Sequence, residues 1–490
     1  VENSGCQLKS LLPTRKIHIS WSIASASFGI VSGAVLVRLI DNRLGVEAII
    51  IALCLMIVAL TRRNAVSLGL FCIAGLLIGF YRGSSVLQEL GIYDQYVNQQ
   101  VSVIGVIVED PGFDIAGDVK LKLKNVIIND QPVAGELWVS SGQQLPLKRS
   151  DTVALNGKLS QGFGSIPAAV YRARITEVER KEYADIARDT RDWFADGIRT
   201  SVGEPEASLG SGFLLGQKTA LPEKLDNELR LLGLTHIVVA SGYNLSILVR
   251  YARRLFMKIS RFTSVAVSGL LVYGFANITG FSPSMTRASL ITGLSLAAWY
   301  YGRKFHPVVL LSFSAAVTIL INPSYAWGDI GWLLSFMSFV GVIILSPLIH
   351  AYFWGAQKPG NIRQVFIETL SAQLLTLPLI MYVFGQYSPL ALLANVLILP
   401  LIPLAMLLTF VAGIGGVFIS SVALQIGWPA ETLLRYMTRV VDYLARQPLA
   451  GQEISLPIEG VLFGYSLLLI LAVFLWRRTK YQFRDYNIVE

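Results

Sequence analysis

Residues 65–81 read AVSLGLFCIAGLLIGFY, a run without a single charge that ends against Arg82. A helix needs about 20 mostly apolar residues to cross the hydrocarbon core of a bilayer, so the run is read as a crossing. Two segments precede it, at 20–37 and, shorter, at 46–60. The pattern returns at 231–249, 263–281, 285–301, 307–322, 331–350, 363–386, 390–427 and 460–476. Over 490 residues, 53% are hydrophobic and 15% charged, with mean hydropathy +0.56. Soluble proteins carry about 25% charge, so a soluble enzyme, a disulfide scaffold and a disordered hub are all excluded. The expected class is an α-helical polytopic membrane protein of about 12 spans. That total counts 390–427 as two short crossings or a broken hairpin, interrupted by Pro400 and Pro403.

The formal charge is +9. In a membrane protein such an excess first reflects cytoplasmic loops rich in Lys and Arg. Lys9, Arg15 and Lys16 precede the first span, which is expected to serve as the insertion signal. Later clusters at Arg250/Arg253/Arg254, Arg303/Lys304, Lys358/Arg363 and Arg477/Arg478 follow alternate crossings. Cytoplasmic N- and C-termini are therefore expected, with the region after the third span outside. Residues 428–447 read as an amphipathic helix at the outer interface. Cys54 and Cys72 sit within apolar runs and Cys6 stands apart, and the four histidines are scattered, so neither a disulfide framework nor a metal or other cofactor is expected.

Residues 99–181 change character. Short alternating runs at Val101–Val108, Val119–Ile128, Gly135–Val139, Thr152–Leu159 and Tyr171–Val178 are separated by Gly, Pro, Asn and Asp. Five short strands in one small insert predict a β-barrel of the OB type, a fold that binds single strands through cations and stacking aromatics. Ten basic and nine acidic residues nearly cancel here, so charge alone does not identify a nucleic-acid domain. The alternation Lys120-Leu121-Lys122-Leu123-Lys124 does place three ammonium groups on one strand face, with Trp138 and Tyr171 as candidate stacking partners. A solvated lysine face and a core tryptophan explain the same residues without a ligand. A helical connector is expected at 182–230. Its Gly210–Thr219 stretch fails as a P-loop, because Gln217 separates the glycine from the lysine.

Polar residues inside spans cost roughly 2.5–3.5 kcal/mol when charged, and they usually face a cavity or a partner. Four motifs carry them: GLTHIVVASGYNL with His236, Ser241 and Asn244; GFSPSMTRA with Ser284 and Arg287; WGDIGWLLSF with Asp329 and Ser335; and ETLSAQLLTLPL with Glu368 and Gln373, followed by Asn395. Each also has a plain structural reading: polar contacts between helices, a snorkelling arginine, an interfacial helix start.

In this order the four motifs resemble the competence block of ComEC-family proteins, the inner-membrane DNA channel of natural transformation. The three-span block with its OB-like insert is similar to that family's N-terminal part. The implied organisation is a three-span block at 1–98, the OB-like domain at 99–181, the connector at 182–230, a channel domain at 231–476 and a cytoplasmic tail at 477–490. The resemblance implies a multi-pass plasma-membrane channel for single-stranded DNA, not an enzyme, with a pore lined by His236, Ser241, Asn244, Ser284, Arg287, Asp329, Ser335, Glu368, Gln373 and Asn395. It implies as partners the lipid bilayer, an outer-side DNA receptor and a cytosolic ATP-dependent translocase. Asn244 stands where the family usually has His, so a protonation role there is not expected. The family's metallo-β-lactamase-like domain is absent from these residues, so a separate nuclease is expected to degrade the other strand. Two alternatives remain open: a transporter of a small anion or metabolite, and an intramembrane hydrolase using Ser241 and His236. The five-residue offset sets that pair about 140° apart on an unbroken helix, a poor geometry for a nucleophile and its base.

Overall fold

The computed structural model describes residues 18–40, 44–62, 64–113, 117–182, 185–217, 221–238, 241–303, 306–355, 357 and 360–481. Cys6, Lys9, Arg15, Lys16, Lys218, Thr219, Val239, Ala240, Lys304, Lys358 and the tail after Tyr481 lie outside the described residues.

Three helices open the chain: α1 (Ile19–Leu36), α2 (Glu47–Arg62) and α3 (Ala65–Leu90). Helix α1 meets α3 through Gly29, Gly33, Gly75 and Gly79. A methyl group built on Gly79 would stand 2.0 Å from the Ile30 carbonyl oxygen, and one on Gly33 2.1 Å from that of Leu76. Glycine at these positions lets the two backbones touch, as small residues do where helices associate in lipid.

The insert is a sheet of β1 (Gln100–Ile107), β2 (Gly112–Phe113), β3 (Val119–Ile128), β4 (Gln131–Val133), β5 (Leu137–Ser141), β6 (Thr152–Phe163), β7 (Ile166–Val170) and β8 (Arg174–Glu179). The pairing runs β1-β3-β5-β7-β6, and β6 pairs again with β1, so the path returns to its first strand. All these pairings are antiparallel except β5 with β7. Alternate residues point inward, as a period of two requires: Val101, Val103, Leu121, Leu123, Leu137, Val139, Val153, Leu155 and Leu159 form one buried cluster. The sequence identified four of the five strands of this ring. Its expected fifth, Tyr171–Val178, largely forms β8, which flanks β6 outside the ring. The ring's fifth strand is Ile166–Val170, whose Pro167-Ala168-Ala169 core carries no bulky alternation to announce it.

The remaining chain is helical: α4 (Ile186–Ser201), α5 (Glu206–Leu215), α6 (Glu223–Leu231), α7 (Thr235–Val238), α8 (Gly242–Phe256), α9 (Arg261–Thr279), α10 (Pro283–Tyr300), α11 (Pro307–Ile321), α12 (Ile330–Val340), α13 (Ser346–Trp354), α14 (Asn361–Phe384), α15 (Ala391–Ile398), α16 (Ile402–Phe418), α17 (Ala423–Ala445) and α18 (Ile458–Thr479). Two short strands, β9 (Gln386–Tyr387) and β10 (Gln452–Glu453), pair between α14 and α18. Among the described residues, seven helices have the length and hydropathy of a span, and α2 and α11 are shorter apolar helices. Three expected crossings take another form, and of these segment 285–301 folds as α10, a helix that is not among those seven. Segment 231–249 is divided between the end of α6, the single turn of α7 and the start of α8. Segment 390–427 supplies one candidate span, 391–418, with a tightened turn at Leu399–Leu401. The glycines of the rejected P-loop lie inside or at the end of α5, which is buried throughout.

Buried ions fix the sheet domain to the helices. The Arg149 guanidinium donates to Asp185 at 2.7 and 3.0 Å and to the Ile278 and Asn277 carbonyls at 3.1 and 3.2 Å. One side chain thus joins the loop before β6, the start of α4 and the end of α9. Burial alone would raise the Asp185 carboxyl, but hydrogen bonds from Arg149, the Arg188 N–H and Ser150 hold it below the ordinary aspartate range. Beside it Arg180 forks onto buried Asp151 at 2.8 and 2.7 Å, Arg191 binds Asp110 and Lys148 reaches Asp192 at 3.0 Å.

Candidate functional site

The middle two motifs meet at Arg287. Pro283 starts α10 with Ser282 as its cap, and this places Arg287 one turn in. The Arg287 Nε donates to Ser335 Oγ on α12 at 2.8 Å, and Ser335 Oγ donates in turn to Ser284 Oγ at 3.1 Å. The guanidinium carbon lies 5.0 and 5.7 Å from the ring centres of Phe339 and Phe336. A methyl group on Gly242, in the first motif, would come within 3.8 Å of an Arg287 terminal nitrogen. Three of the four motifs therefore converge on one cation, held by its Nε and backed by two rings.

The other expected lining residues are placed differently. Asn244 is fully buried and donates to the Phe213 carbonyl at 3.0 Å, tying α8 to α5. Ser241 caps α8, its hydroxyl donating to Asn244 Oδ1 at 3.2 Å. His236, exposed on α7, pairs its Nδ1 with the Gly233 carbonyl at 2.9 Å, so it and Ser241 are engaged with different partners. Asp329 caps α12 through the Trp332 N–H at 2.7 Å and accepts from Ser165 at 3.0 Å, an anchor between α12 and the β6–β7 turn. Asn395 is buried, its amide nitrogen donating to Ala391 at 2.8 Å. Gln373 is half-buried on α14.

Glu368 accepts from Gln364 at 2.9 Å and lies within electrostatic reach of Arg250 and Tyr243 on α8. Helix α8 packs on α9 and α10, whereas α14 packs on α12, α13, α15 and α18. Tyr243, Ser246 and Arg250 form an exposed polar stripe on α8, on the side from which Glu368 is reached. Sequence reasoning missed this stripe because Arg250 was grouped with the basic cluster that follows. The spacing 243, 246, 250 was the available signal.

On the sheet domain, Lys122 is closed off. Its ammonium meets Glu136 at 3.2 Å and Glu109 at 3.5 Å. Burial would lower its pKa, but these carboxylates more than offset that and hold it above the ordinary lysine range. Lys120 is half-buried and Lys124 exposed. Trp138, in register with Lys122, packs edge-on against Phe163 at 5.7 Å. Tyr171 is exposed in the turn after β7.

A family model described as "Competence protein" matches residues 213–479, more than half of the chain. ComE operon protein 3 of Bacillus subtilis (strain 168) is 26% identical over 247 residues, covering 49% of this chain and 30% of that protein. Competence protein ComA of Neisseria gonorrhoeae is 26% identical over 334 residues, covering 65% of this chain and 43% of that protein. The chain thus spans less than half the length of either relative. No solved structure matches.

Proposed function

The chain belongs to the competence-protein family, and we propose that it forms the plasma-membrane channel that passes one DNA strand inward during natural transformation. The observation that carries this reading is the convergence of three motifs on Arg287. A strand bears one charge per nucleotide, and a low-dielectric passage must replace lost hydration and counterions with fixed positive charge. Arg287 supplies such a charge, and the stripe Tyr243–Ser246–Arg250 facing Glu368 continues the path. His236, Ser241, Gln373 and Asn395 are proposed to border it, with Asn244 and Asp329 holding its walls.

We further read the insert as an OB-like barrel that receives the strand. Its returning pairing path and the parallel contact between β5 and β7 support this, and Lys120, Lys124, Trp138 and Tyr171 remain candidate contacts. About twelve crossings with both termini cytoplasmic and the insert outside is the proposed topology. It is supported by the far position of the α18 end, where Leu475 packs with Leu345 and Leu348, while α12 begins beside the sheet domain at Asp329. The proposed partners are an outer-side DNA receptor, a cytosolic ATP-dependent translocase that pulls, and a separate nuclease. The reading assigns the chain no covalent chemistry.

A guanidinium backed by two rings also suits a small organic anion, the reading of a metabolite transporter. Complementation separates the two. Expressed in a transformable strain lacking its own competence channel, this chain should restore uptake of marker DNA. Stable insertion without any transformants would contradict the channel reading.

A further inference from the structure

With Lys122 occupied by two carboxylates, the place where a strand first meets the sheet domain falls to cations without acid partners. Arg172 and Arg174 are exposed, and neither enters an ion pair among the described residues. They follow Tyr171, which is 50% exposed, in the turn from β7 to β8. Arg174 lies opposite Asn156 on β6, Asn156 lies opposite Ser102 on β1, and two residues along Lys158 lies opposite Gln100. Arg174, Asn156, Ser102, Lys158 and Gln100 are all exposed on the outward face. Three adjacent strands set at about 4.8 Å spacing therefore carry cations and hydrogen-bonding groups in register over about 10 Å. Beside the turn the surface opens into a cleft of about 660 Å³ bordered by Arg172, Arg174, Asp118, Gly142 and Gln143.

We propose that this β1–β6–β8 face with the Tyr171–Arg174 turn, rather than the lysine face of β3, is the docking surface for single-stranded DNA. The assignment rests on the DNA reading above and gives it a location. Guanidinium groups are flat forks that match phosphate oxygens, the Tyr171 ring offers a face to a base, and Asn156, Ser102 and Gln100 suit sugar and base edges. On the β3 face, by contrast, the cation in register with the aromatic is the one already neutralised, and that aromatic, Trp138, is packed against Phe163.

The test uses the full chain in lipid nanodiscs and a fluorescent oligothymidylate, titrated at several salt concentrations. Arg172→Asn is the suitable change at position 172, where φ is 51°, a left-handed value that asparagine tolerates. Paired with Arg174→Ser, it should weaken binding about tenfold and flatten the log–log salt slope by about 1.4, two contacts at about 0.7 each. Tyr171→Leu should weaken binding with the slope unchanged, a pattern that general loss of structure would not give. Asp130→Asn, a charge change on the sheet domain away from the proposed face, should leave affinity within about twofold, and Lys120→Ser with Lys124→Ser should cost less than the arginine pair, as expected when the main phosphate contacts are kept. Binding that survives the arginine substitutions, or falls mainly with the lysine ones, overturns the docking surface and leaves the DNA reading intact. An unsubstituted chain that binds no oligothymidylate at low salt overturns both.

Discussion

Replacing Arg287 by alanine should reduce DNA uptake about 100-fold or more, equivalent to about 2.7 kcal/mol, while leaving the amount of inserted chain unchanged. A charged side chain set among apolar helices costs free energy, so stability does not explain its presence. Its loss also leaves little unsatisfied, because Ser335 keeps its hydrogen bond to Ser284 at 3.1 Å. What disappears is a fixed positive charge at the meeting point of α8, α10 and α12. Arg287→Lys keeps the charge but loses the planar fork and the Nε donor that Ser335 accepts, and it should recover only part of the uptake. The measurement is transformation frequency normalised to the immunoblotted chain in the membrane fraction. Uptake at the unsubstituted level in the alanine variant would remove Arg287 from the path.

The second large effect is expected where the sheet domain joins the helices. Arg149 and Asp185 retain only 7% and 12% of their side-chain exposure. Removing one member of such a pair strands a buried charge and costs about 3–5 kcal/mol. Arg149→Ala should therefore lower the melting temperature of the purified chain and open the segment between β8 and α4 to protease. Arg149→Ala combined with Asp185→Ala should be less damaging than Arg149→Ala alone, because it leaves no unpaired carboxylate. Equal losses in the two variants would deny the coupling. The pH dependence follows from the depressed Asp185 carboxyl: its contribution is present in full above the ordinary aspartate range. It is lost as pH falls through the lower folded value, so the junction should loosen only in strongly acidic buffer.

The residues readable from the sequence were those whose local pattern broke its surroundings. Period-two alternation announced β1, β3, β5 and β6, and the charge of Arg287 stood out in an apolar stretch. The rest depended on contacts distant in the chain. The pairing of β1 with β6 joins residues about fifty positions apart, and β7 has a proline and two alanines between Ile166 and Val170. Asn244 looked like a lining residue until the Phe213 carbonyl, on α5, took its amide into the interior. Lys122 looked free because Glu109 and Glu136 are separated from it in sequence and come together only across the strands. Arg287 was identifiable, but its bond to Ser335 joins two motifs that sequence could only place in order.

The central claim is that DNA passes along the exposed α8 stripe of Tyr243, Ser246 and Arg250. A photoreactive amino acid at Ser246, exposed on the α8 stripe, tests it in transforming cells supplied with labelled DNA. The same probe at Phe463, 72% exposed on α18, serves as the outward-facing control. The account predicts a labelled strand cross-linked at position 246 during uptake and none at position 463. Transformation that proceeds with no adduct at 246, or with equal adducts at both positions, would contradict it.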